Sequence, residues 1–533
     1  MSLLDVQDLS VRFGGVTAVD DVSFSLERGA ALGIVGESGS GKSVTCRALM
    51  RLLPRSARIE GTASFEGRDL LSLPENELNS VRGKRIAMIF QSPTSHLDPL
   101  MRIGDQVAET LRKHTDMRGR AVREEVMRLL DVVRIPDPGK WARAYPHQLS
   151  GGMKQRAMIA GALACQPDLL LADEPTTALD ATVQKSVLDL LAQLRREQNL
   201  SMIFVSHDLG AVAQVCDDLL VMRRSKLVES GRVGDIIRAP KHEYTARLIA
   251  SHPDRLPARP LDEVPDAAPL VEARSVEIRY GERSLADLIT GREGGFVAVR
   301  DVSFGVRPGE SLGIVGESGS GKTTLARALV GLVKPGSGTL MFDGKPADPT
   351  GPGRIAYLRD MQLIYQHPYE ALNPRMSVQS AIAEPLRRHR LCPRDRVAAR
   401  VRDLMAQVDL APDLVERLPG QLSGGQCQRV AIARALAFDP RVLIADEVTS
   451  ALDVTLQAQV LALLARLQKE RALTMIFISH DLAVIRQLCN SVIVMRRGEI
   501  IEAGPTAAVF DTPREAYTRE LIGAIPHLEG GAA

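Results

Sequence analysis

An α/β fold, present twice in the chain, is what the 533-residue sequence predicts. Three observations carry the prediction. The first is an internal repeat. Gly33-Ile-Val-Gly-Glu-Ser-Gly-Ser-Gly-Lys42 recurs as Gly313-Ile-Val-Gly-Glu-Ser-Gly-Ser-Gly-Lys322, 280 positions on. Gln148-Leu-Ser-Gly-Gly152 recurs as Gln421-Leu-Ser-Gly-Gly425, and Ser206-His207-Asp208 as Ser479-His480-Asp481, both 273 positions on. A long period occurring twice marks a duplicated domain rather than a solenoid. The second observation is a set of short apolar runs, Ala31–Val35, Asp168–Ala172 and Met202–Val205, which read as parallel strands covered on both faces. The third is the helical pattern between them, over Ala121–Val133 and Val183–Glu197.

Taken in order, each half opens with strand-like runs such as Val11–Phe13 and Val22–Leu26. The apolar strand follows, then the glycine-rich loop, then a helix expected over Lys42–Leu53. The proline-containing stretch Ser251–Ala268 has no apolar period and reads as a semi-extended linker. The predicted organisation is one domain over 1–250, the linker over 251–268, and a second domain over 269–533. An additional glycine- and charge-rich piece, Gly281–Gly295, reads as a surface loop of the second half.

Composition excludes several classes. Hydrophobic residues at 45% and charged residues at 25% are values of a soluble globular protein, not of a disordered chain. Lys+Arg minus Asp+Glu is 67 − 65 = +2, so the overall balance asks for no polyanionic partner. The 4% aromatic content argues against stacking along single-stranded nucleic acid. Six scattered cysteines with no C-x-x-C pair read as reduced thiols of a cytosolic protein. The start, Met1-Ser-Leu-Leu-Asp-Val, has no basic segment before an apolar one, so no signal peptide is expected. No apolar run reaches the length of a transmembrane helix.

The chemistry is carried by short segments that recur in each half. Gly36-Glu-Ser-Gly-Ser-Gly-Lys-Ser43 and Gly316-Glu-Ser-Gly-Ser-Gly-Lys-Thr323 fit the phosphate-binding pattern G-x-x-x-x-G-K-[ST]. Gly36, Gly39 and Gly41, with Ser38 and Ser40 between them, let backbone N–H groups turn toward a triphosphate; Gly316, Ser318, Gly319, Ser320 and Gly321 do the same. The following helix aims its N-terminus at the anion. Lys42 and Lys322 suit the β- and γ-phosphates, and the Ser43 and Thr323 hydroxyls suit Mg²⁺. Asp173-Glu174 and Asp446-Glu447 close apolar strands, where α/β folds place ligand groups. The first acid of each pair suits a metal, and the second suits a base that orients water for attack on the γ-phosphate. Ser150-Gly-Gly152 and Ser423-Gly-Gly425 each put a hydroxyl and two glycines before a helical run, a second anion-binding surface.

These residues resemble the LSGGQ signature of the ATP-binding cassette (ABC) ATPases, and the motif order of each half matches that family along essentially its whole length. The resemblance implies two tandem P-loop nucleotide-binding domains, each a RecA-like core with an antiparallel β subdomain and a helical subdomain, using ATP and Mg²⁺. It implies that Gln91 and Gln366 are the glutamines that sense Mg²⁺ and water, that Ala178-Leu-Asp180 and Ala451-Leu-Asp453 are the D-loops, and that His207 and His480 contact the γ-phosphate. Phe13 and Tyr280 fall where the family stacks an aromatic on adenine. It further implies an intramolecular cassette dimer, one site pairing Lys42, Gln91, Glu174 and His207 with Ser423–Gly425, the other pairing Lys322, Gln366, Glu447 and His480 with Ser150–Gly152. The differences Pro175/Val448 and Met153/Gln426 are expected to be tolerated.

Within the family, Pro240-Lys-His-Glu-Tyr-Thr and Pro513-Arg-Glu-Ala-Tyr-Thr resemble the ends of peptide/nickel importer ATPases, as does the SGGM-then-SGGQ order. That resemblance implies a peripheral ATPase on the cytoplasmic face of the bacterial inner membrane, serving two separate permease subunits and, through them, a solute-binding protein. Peptides are the expected cargo, with nickel, opines and glutathione open. The alternative is a soluble twin-cassette protein acting on ribosomes or DNA. Relatives of that kind have a long basic linker or zinc cysteine pairs, whereas this linker carries four acids against two arginines and one histidine.

Overall fold

The computed structural model describes residues 2–528, apart from 178, 253–254, 256–263, 265, 282–294, 348–352, 450–451 and 453. The expected surface loop and most of the expected linker lie outside the described residues, as do Ala178, Ala451 and Asp453 of the D-loops. The chain divides into two compact units, Met1–Leu256 with Pro526–Ala533, and Pro257–Ile525.

Among the described residues the first unit holds ten strands: β1 (Ser2–Phe13), β2 (Val16–Glu27), β3 (Ala31–Gly36), β4 (Ala57–Phe65), β5 (Arg68–Asp69), β6 (Ile86–Ile89), β7 (Leu169–Asp173), β8 (Ser201–Val205), β9 (Asp218–Arg223) and β10 (Lys226–Arg232). They form an antiparallel sheet of order β2-β1-β4-β5 and a six-stranded sheet of order β10-β9-β3-β8-β7-β6. In the larger sheet every pairing is parallel except the hairpin β9–β10. β3, β7 and β8 are buried at every residue, which is why they read as continuous apolar runs rather than alternating ones.

The second unit repeats this plan with β11 (Val271–Tyr280), β12 (Phe296–Val306), β13 (Ser311–Val315), β14 (Ser337–Phe342), β15 (Lys345–Pro346), β16 (Met361–Ile364), β17 (Val442–Asp446), β18 (Thr474–Ile478), β19 (Ser491–Arg496) and β20 (Glu499–Pro505). Its sheets run β12-β11-β14-β15 and β16-β17-β18-β13-β19-β20, strand for strand the order of the first.

A helical layer is inserted between β6 and β7: Ile103–His114, Arg120–Val132 and Gly151–Leu163. Val107 and Leu111 of the first helix and Val122, Val126 and Leu129 of the second are buried, the three-to-four spacing of an apolar helix stripe. The predicted helix after the first phosphate loop is shorter than expected. It ends at Leu49, because Arg51 takes a left-handed φ of 48° and Leu52 N–H bonds back to Arg47 O, a C-terminal cap that apolar spacing does not reveal.

Candidate functional site

In both units the glycine-rich loop links the central strand to a helix, β3 to Lys42–Leu49 and β13 to Lys322–Leu329. Gly41 and Gly321, which open these helices, are sterically required. At Gly41 (φ 102°) a Cβ would lie 2.4 Å from Ala18 O, and at Gly321 (φ 104°) 2.4 Å from Ala298 O. Lys42 and Lys322 are buried, 5% and 4% exposed. Lys42 Nζ donates to Gly36 O (2.8 Å) and Glu37 O (2.9 Å), and Lys322 Nζ to Gly316 O (2.7 Å) and Glu317 O (2.8 Å). The ammonium groups therefore sit inside the loops, where a triphosphate can take over their bonds.

The acidic pairs join these loops from β7 and β17. Ser43 Oγ donates to Asp173 Oδ1 at 2.6 Å, and Thr323 Oγ1 to Asp446 Oδ1 at 3.2 Å. Asp173 Oδ2 is buried without a hydrogen bond, its nearest cation being Arg47 at 3.7 Å. Burial raises Asp173 above the usual carboxylate range, and burial with repulsion from Glu447 pushes Asp446 up to about 6. A hydroxyl and a carboxylate with a spare buried oxygen are hard donors that fit Mg²⁺.

Gln91 and Gln366 reach the second acid of each pair. Gln91 Nε2 donates to Glu174 Oε2 at 2.7 Å, and Gln366 Nε2 to Glu447 Oε2 at 2.5 Å. His207 Nδ1 is 3.7 Å from Glu174 Oε2, and His480 Nδ1 is 3.5 Å from Glu447 Oε2. Burial alone would raise Glu174, but His207, then Thr177 and Lys42, pull it down to about 2. Glu447 is lowered for the same reasons by His480 and Lys322. Burial opposes a charged imidazole, yet the facing carboxylates raise both histidines above their ordinary value.

These shifts tie stability to pH. The lowered glutamate contributes stability above its unfolded range, lost as pH falls toward about 2. The raised histidine contributes below its unfolded value of about 6.5 and loses that contribution as pH rises through its folded pKa. Thermal melts of His207→Gln against the unsubstituted chain are expected to show a deficit at pH 6 that shrinks by pH 9.

The signature segments cap the helices Gly151–Leu163 and Gly424–Leu436. Ser150 Oγ accepts from Met153 N–H and Ser423 Oγ from Gln426 N–H, each at 3.3 Å. In return Gln426 Oε1 accepts the Ser423 N–H at 2.9 Å, a reciprocal cap that Met153 cannot make. Met153→Gln is expected to stabilise the first unit by up to about 1 kcal/mol, read from its urea midpoint. The second glycine of the first signature is demanded by packing, since a Cβ on Gly152 would lie 2.5 Å from Val183 Cγ1, while Gly151 has open space. The two aromatic candidates end β1 and β11: Phe13 is half-buried against the sheet core and Tyr280 is 40% exposed.

Two features of the site had not been expected from the sequence: a strained backbone at the two glutamates, and a pair of bracing glutamines. Glu174 and Glu447 adopt left-handed φ values of 48° and 47°, rare for a side-chain-bearing residue, with their N–H groups held by Val205 O (3.0 Å) and Ile478 O (2.9 Å) of the neighbouring strands. Gln184 and Gln457 donate to Asp208 and Asp481, each at 3.0 Å, bracing the loops that carry the two histidines. These glutamines are 273 positions apart, so the repeat could have flagged them. The backbone strain has no sequence signal.

Beside each Gln lies a groove in the helical layer. That of the first unit, about 380 Å³, is lined by Leu52, Phe90, Leu97, Val107 and Met158. That of the second, about 370 Å³, includes the exposed Leu332, Ile355 and Tyr365.

The ABC transporter family model matches residues 19–177 and 299–450, more than half of the chain. The chain belongs to the ABC transporter family. The oligopeptide/dipeptide transporter C-terminal region matches 228–283 and 501–533 as well, which places this transporter ATPase in the peptide/nickel importer branch. A glutathione import ATP-binding protein of Pectobacterium atrosepticum is 44% identical over 98% of this chain and 89% of its own length. Its counterpart from Escherichia coli K12 is 43% identical over 99% of this chain and 90% of its own. The transporter ATPase thus binds and hydrolyses ATP in a peptide-type import system, and the alternative of action on ribosomes or DNA finds no support.

Proposed function

We propose that this ABC ATPase drives uptake of glutathione or a related short peptide, hydrolysing ATP at two equivalent sites. The observation that carries the reading is the duplicated constellation Lys42–Ser43–Asp173–Glu174–Gln91–His207 and Lys322–Thr323–Asp446–Glu447–Gln366–His480, joined to the C-terminal region of oligopeptide/dipeptide transporters. The cargo follows the relatives, which are named for glutathione import. The division into cassettes over 1–250 and 269–533 with a linker between them belongs to the same reading.

In each cassette the loop glycines and serines, with Lys42 or Lys322, hold the triphosphate, while Phe13 or Tyr280 meets the adenine. The signature residues Ser150–Gly152 and Ser423–Gly425 bind phosphate as well. Ser43, Asp173 and Gln91, or Thr323, Asp446 and Gln366, would hold Mg²⁺, which would supply charge neutralisation to the triphosphate. Glu174 and Glu447 orient water. A carboxylate held near 2 is a weak base, so its hold must be relaxed before it takes a proton. A γ-phosphate does this by drawing His207 or His480 toward itself, away from the carboxylate. The amide of Gln91 or Gln366 must also yield its place on the carboxylate to the attacking water.

Among the described residues no helix is long and apolar enough to cross a membrane. Two separate permease subunits therefore supply the path, seated in the grooves beside Gln91 and Gln366, with a solute-binding protein feeding them and the ATPase peripheral on the cytoplasmic face of the bacterial inner membrane. Isolating the chain from membranes and identifying what it holds tests this. Recovery of two multispanning proteins, and glutathione-stimulated ATPase activity after reconstitution with them, is the expected result. Recovery of ribosomes in their place would sink the reading.

A further inference from the structure

The C-terminal helix of the second unit reaches its phosphate loop. Tyr517, on Ala516–Ile522 and 4% exposed, accepts the Glu317 N–H at its hydroxyl, 3.2 Å away. Glu317 is the second residue of the loop, and its carbonyl is one of the two that hold Lys322 Nζ. The phenol ring is fixed from above by Arg496, whose guanidinium carbon lies 4.4 Å from the ring centre. The approach to the helix is fixed by Glu502, whose carboxylate accepts the N–H groups of Arg514 (2.9 Å) and Glu515 (3.2 Å). Arg496 and Glu502 belong to the hairpin β19–β20, and β19 pairs in parallel with β13, the strand that leads into the loop. Both ends of the Tyr517–Glu317 bond thus rest on one edge of one sheet. The supporting groups recur 273 positions earlier, with Arg223 4.9 Å from the Tyr244 ring and Glu229 accepting from Lys241 and His242.

We propose that Tyr517 is a positioning residue for the ATP site of the second unit, setting the entrance of the loop Gly316–Thr323 from the C-terminal segment. This rests on the assignment of that loop to the triphosphate. When phosphate draws Lys322 away, the lysine gives up its bonds to the Gly316 and Glu317 carbonyls. The Tyr517 bond is made to the opposite end of the Glu317 residue by a group the nucleotide does not need, so it persists and keeps the loop entrance in place. Tyr517 acts on the loop backbone rather than on reacting atoms, so its removal shows in affinity and not in turnover.

Tyr517→Phe in the full chain tests this, since it keeps the ring and its arginine cover and removes only the hydroxyl. With Lys42→Ala in the background to silence the first site, titration with a fluorescent (mant) ATP is expected to show binding weakened about three- to tenfold. In the otherwise unsubstituted chain, KM for ATP rises by a similar factor, kcat stays within twofold and the melting temperature holds within about 2 °C. Lys322→Ala on the same Lys42→Ala background is the control and abolishes mant-ATP binding. If that control binds normally, the loop assignment fails. If the control fails to bind while Tyr517→Phe is within twofold of its parent, the proposal alone is overturned. A matched fall in affinity, kcat and melting temperature also overturns it, because Tyr517 would then be packing only.

Discussion

Glu174→Gln combined with Glu447→Gln lowers steady-state ATP hydrolysis by more than about a hundredfold while ATP stays bound. The substitution keeps volume and keeps an oxygen that can accept the Gln91 or Gln366 amide, so the 2.7 Å and 2.5 Å contacts survive. It keeps the left-handed backbone too, since glutamine meets the same φ strain as glutamate near 48°. What disappears is the negative charge that faces His207 or His480 and that, on the proposed reading, polarises water. Radiolabelled ATP should remain on the purified double variant through gel filtration, while phosphate release falls. Near-normal phosphate release would refute the assignment of the two glutamates. Single variants report whether the two sites are coupled, because an interaction between them makes the two losses non-additive.

Gly41→Val is expected to abolish nucleotide binding at the first site and to lower the melting temperature of the first unit by roughly 5–15 °C. The φ of 102° is one that a β-branched residue does not adopt without strain. The new Cβ would also meet Ala18 O at 2.4 Å, a backbone atom that cannot rotate away. Backbone strain of about 1–3 kcal/mol and overpacking of about 1–3 kcal/mol point the same way. Gly39→Ala is the comparison: its Cβ meets nothing within 4 Å and only its φ of 77° opposes it. Calorimetry of both variants checks this, and equal melting temperatures for Gly41→Val and the unsubstituted chain would contradict it.

Much of the candidate site is legible in the sequence. A phosphate loop, a strand-end carboxylate pair and a strand-end histidine are short local patterns, and their recurrence at matched offsets separates them from chance. The buried strands were legible for a related reason, since parallel strands covered on both faces are apolar at every position. Element ends were less so, as the helix stopping at Leu49 shows. Its cap depends on the backbone angle of Arg51, and arginine has no preference that announces a left-handed turn.

By itself the sequence determined that two α/β cassettes stand in tandem and which residues are the candidates to meet a nucleotide. Those conclusions rest on residue type and spacing, which a linear string carries in full. Only the tertiary structure decided that Gln91 and Gln366 rest on the glutamates, that the histidines face those glutamates and lower their pKa, and that Tyr517 bonds the second phosphate loop. These contacts join residues between 33 and 200 positions apart. Their geometry comes from the common order of strands in the two large sheets, which brings loop, acid and histidine to the same strand ends. Spacing along the chain carries no distance across a sheet.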